Sequence, residues 1–350
     1  MSGDGTPRRA ASAAASSLRF DVTTGDWVVV AAERGARPDG LAVTPPERSP
    51  TEDFDPECPF CVTGDAVVLD EELEPNDASR WSVRMIANKY PALRPELSST
   101  RRQLGSMFHE MDGHGSHEVL IESPHHAVAL TDQPLEHVER MLRVLHRRCR
   151  ALALEPELEV VQIFKNSGAA AGSSQPHPHF QLIAMPIVPR QVRIKFEMAA
   201  EHFQLNGRSV YADVCAAELE ARERLVATNA DFVAFAPYAS RAPYETWIVP
   251  RAPAPTFGLA SGATLGPLAD LLVDTLRRLR GVLGEAPFNL VINSAPRRHA
   301  DEPDFVWHVE ILPRLSQPAG FEIATGMAIN PVPPELAASR LRAAGGASAR

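Results

Sequence analysis

The stretch Lys165–Gln181, which reads KNSGAAAGSSQPHPHFQ, is the part of the chain from which the fold and the chemistry can be worked out. It begins at the end of an apolar segment that predicts a strand. The small residues that follow would let backbone N–H groups approach an anion closely. Beyond them His177, His179 and Gln181 alternate with a proline and a phenylalanine at the start of a second predicted strand. Because side chains alternate between the two faces of a sheet, the three polar groups are expected to share one face.

Two histidines beside a loop of small residues favour chemistry on a phosphate. A neutral imidazole can attack phosphorus, bind a metal ion or transfer a proton. The alternative is a pair of surface histidines at the end of a strand, which we regard as the minor interpretation. The stretch alone does not identify a substrate.

Length and composition limit the classes of protein to consider. The chain has 350 residues, 44% of them hydrophobic, which is enough for one large domain or two packed ones. Asp and Glu number 44 against 35 Lys and Arg, and without a dense basic run a nucleic-acid partner is not expected. No apolar run approaches the roughly 20 residues of a membrane span, so no membrane anchor is expected.

The first sixteen residues are rich in Ala and Ser and contain two arginines, but they lack the apolar core of a signal peptide. We predict a disordered tail over residues 1–16 and a cytoplasmic protein. A transit peptide is the alternative interpretation of this segment.

Cysteine is sparse, which does not indicate a disulfide framework. Cys58 and Cys61 form the motif CPFC, which is typical of one half of a zinc site. Another predicted strand, SHEVLIESPHH, delivers His125 and His126 to its end, where an imidazole could complete such a site. Cys149 instead falls on the apolar stripe of a predicted helix, and we interpret it as a core residue.

That helix is predicted from Thr131 as N-cap, with Pro134 in the first turn. Apolar residues at helical spacing follow, namely Leu135, Val138, Met141, Leu142, Leu145, Cys149 and Leu152.

The second half of the chain repeats the plan of the first. A strand, the residues NSA, a loop and WHVEI match a strand, NSG, a loop and HPHFQ at a period of about 130 residues. His308 stands where His177 stood, and Glu310 replaces His179, so the second copy has lost its nucleophile position. We therefore predict an α+β protein made of two tandem domains, residues 17–193 and 194–350, each an antiparallel sheet packed with helices.

Taken in order, the motifs resemble one known family. They are the hairpin with ERGARP, CPFC, ANKYPAL, HEVLIESPHH, NSGAAAGSSQPHPHFQ, PYETWIVP, APFNLVINS and WHVEILPRL. Between Leu18 and Arg342 the chain is similar to the galactose-1-phosphate uridylyltransferase family of the histidine-triad superfamily. The resemblance implies that both domains are histidine-triad-like, with the catalytic site in the first and a degenerate site in the second.

The resemblance also implies a ping-pong nucleotidyl transfer. His179 would attack the α-phosphorus of a nucleotide sugar and hold the nucleotide covalently while a sugar phosphate leaves, and a hexose 1-phosphate would then collect it. A backbone carbonyl of the HPH segment would hold the attacking ring, and Gln181 would donate to the phosphate.

Further site residues follow from the same resemblance. The residues at the family's substrate-binding positions are Arg34, Arg37, Asn88, Asn166, Gly168, Gly172, Ser173 and Ser174. A structural zinc ion would be bound by Cys58, Cys61, His177 and either His126 or its neighbour His125, with His126 at the family's position. The family also implies a homodimer that binds nucleotide sugar and hexose 1-phosphate.

Several positions depart from the family pattern. Some members bind a second metal in the C-terminal half, but here Cys215 and His308 are accompanied by Glu218 and Pro253, so we expect that site to be absent or degraded. Lys89 replaces an acidic residue that contacts the ribose in uridylyltransferases. The base and the sugar therefore stay open.

We expect a UDP-glucose:hexose-1-phosphate uridylyltransferase of galactose metabolism. The alternative within the same chemistry is an ADP-glucose phosphorylase, which would use phosphate as the acceptor. A non-catalytic nucleotide-binding protein is the alternative of another class. A zinc-dependent hydrolase is weaker, because four protein ligands leave no position for an activated water.

Overall fold

The computed structural model describes residues 16–36 and 53–345, which form strands and helices in alternating groups. The strands are β1 (Ser17–Phe20), β2 (Trp27–Val30), β3 (Val68–Glu74), β4 (Asp77–Ala87), β5 (Arg102–Leu104), β6 (Phe108–Glu110), β7 (Ser116–Ile121), β8 (Val160–Ser167), β9 (His179–Met185), β10 (Leu225–Thr228), β11 (Phe232–Phe235), β12 (Thr246–Pro250), β13 (Phe288–Asn293), β14 (His308–Pro313) and β15 (Ile329–Asn330). The α-helices are α1 (Leu135–Ala153), α2 (Arg190–Asn206), α3 (Val210–Ala221), α4 (Leu265–Leu283), α5 (Gly320–Thr325) and α6 (Pro334–Gly345). Of the predicted tail, residues 1–16, all but Ser16 lie outside the described residues.

One antiparallel sheet of ten strands organises the molecule, in the order β10-β11-β12-β14-β13-β8-β9-β7-β4-β3. The first half of the chain supplies β3, β4, β7, β8 and β9, and the second half supplies the other five strands. The halves meet where β8 pairs with β13, with Asn166 opposite Asn289. The α+β class with antiparallel strands is confirmed. The division into two tandem domains stays a prediction, and the sheets predicted for the two halves are continuous with each other.

Helices α1, α4 and α6 cover one face of this sheet. The predicted apolar stripe of α1 is buried there, and Cys149 is only 2% exposed, as expected for a core residue. Burial raises the pKa of the Cys149 thiol to about 12, so it stays protonated. Within the described residues no helix is both long and apolar enough to cross a membrane.

The start of α1 differs from the prediction. Thr131 lies in a separate 3-10 turn, Leu130–Asp132, and Pro134 rather than Thr131 is the N-cap of the helix. Gln133 is extended (ψ 147°), because a residue that precedes proline is disfavoured in the helical region. The helix therefore begins only after Pro134.

The other face of the sheet is covered differently in the two halves. In the second half, α2 and α3 pack onto it through a cluster that includes Tyr211, Phe235 and Trp247. In the first half, a smaller cluster of Ile86, Val119 and Ile121 is joined by Phe60 from the CPFC loop. Within residues 16–36 and 53–345, no helix pair covers the first half of this face, which leaves room for a site beside β9.

Candidate functional site

His179 is the first residue of β9 and its ring is held in one orientation. Nδ1 donates a 2.9 Å hydrogen bond to the backbone oxygen of His177, as the sequence comparison with the family implied. Because a carbonyl oxygen only accepts, Nδ1 carries the proton and Nε2 keeps a free lone pair. Burial lowers the pKa of His179 below its usual 6.5, so the ring is neutral at physiological pH. These are the requirements for a nucleophilic imidazole.

Cys58, Cys61, His126 and His177 form a cluster beside that histidine. Their ligand atoms all lie within 4.8 Å of one another. Nδ1 of His177 is 3.5 Å from Cys61 Sγ and 3.7 Å from Cys58 Sγ, and Nδ1 of His126 is 3.3 Å from Cys61 Sγ.

The donor set and the tautomer of His177 fit a tetrahedral metal ion. Nε2 of His177 donates to the backbone oxygen of Ser123 at 2.9 Å, so its Nδ1 presents a lone pair to the thiols. Two sulfur and two nitrogen donors are the ligands that a closed zinc site uses. All four of the predicted ligand positions are therefore brought together, with His126 rather than its neighbour.

His125 lies outside this cluster. Its side chain is 49% exposed, and Nδ1 is 3.6 Å from the carboxylate of Asp53. The chain turns at this point so that only the second histidine of the pair faces the thiols.

The CPFC loop also contacts the nucleophile directly. The ring centroids of Phe60 and His179 are 5.1 Å apart. Phe60 also meets the His177 ring edge-on, with the two centroids 5.9 Å apart. Phe60, one of the two residues between the thiols, therefore packs against both histidines of the HPH segment.

The loop of small residues closes on itself at the end of β8. Gly168 and Gly172 have positive φ angles of 84° and 86°, and the N–H groups of Ala171 and Ser173 both donate to the Gly168 oxygen. A Cβ atom on Gly168 would lie 2.9 Å from Pro287, so glycine is required there on two counts. Gly172 and Ser174 are exposed, while Ser173 is half-buried and donates to the Gln175 oxygen at 2.7 Å.

The second half of the chain supports this loop. Asn289, on β13, donates from Nδ2 to Asn166 Oδ1 and to the Ala171 backbone oxygen, both at 2.8 Å. Arg314 in turn donates to Asn289 Oδ1. With its oxygen occupied, Asn166 keeps its Nδ2 group for a ligand. Asn289 was missed from the sequence, where it is one polar residue in an apolar strand.

Gln181 lies on the same face as His179, two residues further along β9. Its Oε1 accepts a 2.8 Å hydrogen bond from Nε2 of His117 on β7. Asn88 places its amide nitrogen 3.1 Å from the same ring atom. Asn88 and His117 both line a cavity of about 710 Å³, a volume within the range of small-molecule sites. His117 was not among the residues singled out from the sequence.

The structure describes one of the two arginines that the sequence predicts for the site. Arg34 lies in a 3-10 helix, Ala32–Ala36, and is exposed. Arg37 lies outside the described residues.

A buried ion pair stands directly behind the HPH segment. Lys165 donates to Glu122, and the two side chains are 4% and 1% exposed. The backbone N–H of Glu122 donates to the oxygen of Pro178, which joins the pair to the HPH segment. The sequence signal was a lysine inside an apolar strand, which usually requires a buried partner.

In the second half of the chain, buried side chains fill the place that corresponds to that of His179. Lys195 from α2 donates to Glu310 and, at 3.2 Å, to Asn293 Oδ1. Nδ1 of His308 donates to the Val306 oxygen at 2.9 Å and its other nitrogen faces Glu310. Burial opposes ionisation of Glu310, but the charges of Lys195 and Arg241 outweigh it and hold its pKa well below the usual range.

The residues considered for a second metal are engaged elsewhere. Glu218 accepts a 2.9 Å hydrogen bond from Arg224, and burial raises the pKa of the Cys215 thiol to about 12. Among the described residues, the cluster around Cys58 is the one group of metal-binding side chains with suitable spacing.

Comparisons with known proteins show which family the chain is similar to. Residues 8–189 match the family described as galactose-1-phosphate uridyl transferase, N-terminal domain. An ADP-glucose phosphorylase of Arabidopsis thaliana is 32% identical over 93% of this chain and 92% of its own length. A galactose-1-phosphate uridylyltransferase of Thermotoga maritima is 29% identical over 93% of this chain and 97% of its own.

A solved structure is also similar along nearly the whole chain. It is a crystal structure of an ADP-glucose phosphorylase from Arabidopsis thaliana with bound ADP-glucose. It superposes with a TM-score of 0.78 at 30% identity, covering 94% of this chain and 99% of the other. The similarity therefore includes both halves of the sheet.

Proposed function

Because the chain belongs to the galactose-1-phosphate uridyl transferase family, we propose that it transfers a nucleotidyl group from a nucleotide sugar to a hexose 1-phosphate through a covalent nucleotidyl-histidine at His179. The preferred substrates are UDP-glucose and a hexose 1-phosphate, in a pathway of galactose metabolism. The observation that carries the proposal is the buried, neutral ring of His179, whose Nδ1–H is fixed by a carbonyl and whose Nε2 has no hydrogen-bond partner among the described residues.

In the first step, the lone pair on Nε2 of His179 attacks the α-phosphorus. The bond between that phosphorus and the bridging oxygen breaks, and hexose 1-phosphate leaves with the electron pair. No acid is needed, because the second pKa of a phosphate monoester is about 6. The ring becomes cationic, and its Nδ1–H remains bonded to the His177 oxygen, which stabilises the charge.

The second step reverses the first with a new partner. A phosphate oxygen of the incoming hexose 1-phosphate attacks the same phosphorus, and the P–N bond breaks with its electrons returning to Nε2. The imidazole is again neutral. One residue thereby divides a direct transfer into two easier displacements.

Other residues of this chain bind and orient the phosphates in this proposal. The Gln181 amide, the Asn166 amide nitrogen and the backbone of the loop from Gly168 to Ser174 would donate to phosphate oxygens. Arg34 and Arg37 would add positive charge, as transferring phosphoryl groups require. A cavity of about 710 Å³, which is lined by Asn88 and His117 but not by His179 or Gln181, is large enough for a nucleoside.

Zinc would be bound by Cys58, Cys61, His126 and His177 and would contribute structure. The four side chains fill a tetrahedral shell, so a bound ion fixes the segment that carries His179 and has no position for substrate. The homodimer and the cytoplasmic location stay predictions.

A second candidate has a specific observation in its favour. The relative at 32% identity and the solved structure with bound ADP-glucose are both ADP-glucose phosphorylases. In that version the same histidine would take an adenylyl group and pass it to inorganic phosphate.

The experiment labels the enzyme with its nucleotide. The protein is incubated separately with UDP-glucose and ADP-glucose carrying ³²P at the α-phosphate, and acid-labile, alkali-stable label on protein is measured. Label from UDP-glucose, discharged by galactose 1-phosphate, supports the first candidate, and label from ADP-glucose discharged by phosphate supports the second. His179→Ala should bind nucleotide and take no label. If the wild type binds nucleotide but takes no label, the result supports the alternative of a non-catalytic nucleotide-binding protein.

A further inference from the structure

A line of hydrogen bonds runs from the backbone at Ala92 through His117 to the amide of Gln181. The Ala92 N–H donates to Nδ1 of His117 at 3.1 Å, and Nε2 of His117 lies 2.8 Å from Gln181 Oε1. The β7–β9 register sets the distance, since Val119 is opposite Gln181 and His117 is two residues earlier on the same face.

The tautomer of His117 follows from its backbone partner. A peptide N–H can only donate, so Nδ1 must be unprotonated to accept from Ala92. A neutral ring then carries its hydrogen on Nε2, which donates to Gln181. The Asn88 amide nitrogen, although 3.1 Å from Nε2, is also a donor and cannot bond to it.

The orientation of the Gln181 amide follows in turn. Its oxygen must face the N–H of His117, so its NH₂ group points the other way, and within the described residues that group has no protein partner. An amide rotated by half a turn would present oxygen, and therefore negative partial charge, to a phosphate.

We infer that His117 is a positioning residue that fixes the Gln181 amide with its donor toward the transferring phosphate. This inference rests on the proposed function, because it gives Gln181 a phosphate to donate to. His117 itself does not touch the reacting atoms. Groups that orient a functional side chain in this way commonly change activity by 10- to 100-fold when they are replaced.

The tautomer can be measured without activity. In wild-type protein with ¹⁵N-labelled histidine, the His117 signal is assigned by its loss in His117→Gln. We expect unprotonated Nδ1 and protonated Nε2, the tautomer that the Ala92 hydrogen bond requires. Protonated Nδ1 would overturn the inference.

The functional test compares rates of label uptake in a single turnover. His117→Leu should slow formation of the nucleotidyl-enzyme by about 10- to 100-fold, with a smaller change in nucleotide Kd. His117→Gln, which retains an N–H donor near Nε2, should recover part of the rate. His109→Leu, an exposed histidine of β6, is the matched control and should react like the wild type.

The decisive comparison is made in a Gln181→Ala background. If His117 acts through Gln181, adding His117→Leu there should change the rate by less than about threefold. If the two effects multiply instead, His117 has only a structural role and the inference is wrong. Thermal unfolding identifies any variant that is simply unfolded, and His117→Gln then replaces it in the cycle.

The labelling experiment distinguishes failure of the proposed function from failure of the positioning role of His117. A wild-type protein that takes no label refutes the proposed function. A wild-type protein that takes label at the same rate as His117→Leu refutes only the positioning role.

Discussion

The backbone oxygen of His177 accepts the hydrogen bond of His179 Nδ1 at 2.9 Å, while the ring of His177 faces the thiols of Cys58 and Cys61. One residue thus connects the candidate metal cluster to the candidate nucleophile. A shift of the His177 backbone on loss of its ring contacts would move the peptide oxygen that orients the His179 imidazole.

Metal removal is therefore expected to reduce both stability and the reaction. The wild type should contain about one zinc per chain, and Cys61→Ser should lose it together with several kcal/mol of unfolding free energy. The rate of labelling should fall in parallel, because His179 loses its orientation. Metal analysis, urea unfolding and labelling of the same preparations check this.

The two neighbouring histidines provide the control. His126→Ala should lose zinc, whereas His125→Ala should retain it, since His125 is half exposed and outside the cluster. Equal zinc loss in both variants would contradict the assignment. Full stability after chelation with complete loss of turnover would favour the hydrolase alternative.

Phe60 is expected to affect the reaction more than the fold. Phe60→Ala removes the ring that packs on both histidines, and a loosened nucleophile should slow labelling by about 10- to 100-fold. Phe54→Ala, an exposed phenylalanine of the same region, is the matched control. The measurement is single-turnover labelling with zinc content determined beside it. Unchanged labelling in Phe60→Ala would show that the metal alone positions the ring.

The sequence predicted the local parts of this site well. Alternation predicted one face for His177, His179 and Gln181, and His179 and Gln181 do share a face of β9, whereas His177 lies before the strand begins. CPFC contributes two of the four clustered side chains, and metal binding there stays a prediction. Local patterns could not show that the His177 ring and its own carbonyl serve different partners. They could not choose between His125 and His126 either, because the turn after β7 decides which ring faces the thiols.

The missed residues depend on pairing between distant segments. His117 and Gln181 are 64 positions apart, and Asn289 is 123 positions from Asn166. Each is an ordinary polar residue until the sheet register brings it to its partner. The predicted start of α1 was wrong for a local reason. Pro134 keeps Gln133 extended, and this effect outweighed the capping preference of Thr131.

Asn289 is expected to matter for phosphate binding, although it lies in the second half. Asn289→Ala removes the 2.8 Å hydrogen bonds to Asn166 on β8 and to the Ala171 oxygen in the loop, and it should weaken nucleotide-sugar binding by about 1–2 kcal/mol, roughly 5- to 30-fold in Kd. Calorimetric titration of the His179→Ala background measures this without turnover. Asn206→Ala, at the exposed end of α2, is the control. An unchanged Kd would show that the loop holds its shape unaided.

His146 is expected to make stability depend on pH. Burial lowers its pKa in the folded protein, where Nε2 donates to the Ala260 oxygen at 3.0 Å, while the unfolded chain titrates near 6.5. Above about pH 6.5 the ring is neutral in both states, and below it the unfolded chain binds the proton first, so stability falls. His146→Gln should lose this contribution. Urea unfolding from about pH 7.5 to about pH 5.5 should show the stability gap between wild type and variant narrowing. A constant gap would contradict the assignment.

In the second half, Glu310 stands at the position that corresponds to His179, and the buried ammonium group of Lys195 donates to it. The Lys195 ammonium lies between Glu310 and Asn293 and is buried, so Lys195→Met leaves a carboxylate whose remaining countercharge, among the residues that the structure describes, is Arg241. Removing one partner of a buried pair costs about 3 kcal/mol or more, whereas replacing both by apolar groups is often close to neutral. The double variant Lys195→Met/Glu310→Leu should therefore be more stable than Lys195→Met alone. Urea unfolding of the two variants tests this, and a double variant less stable than the single one would show that Glu310 is required by His308 and Arg241 rather than by Lys195.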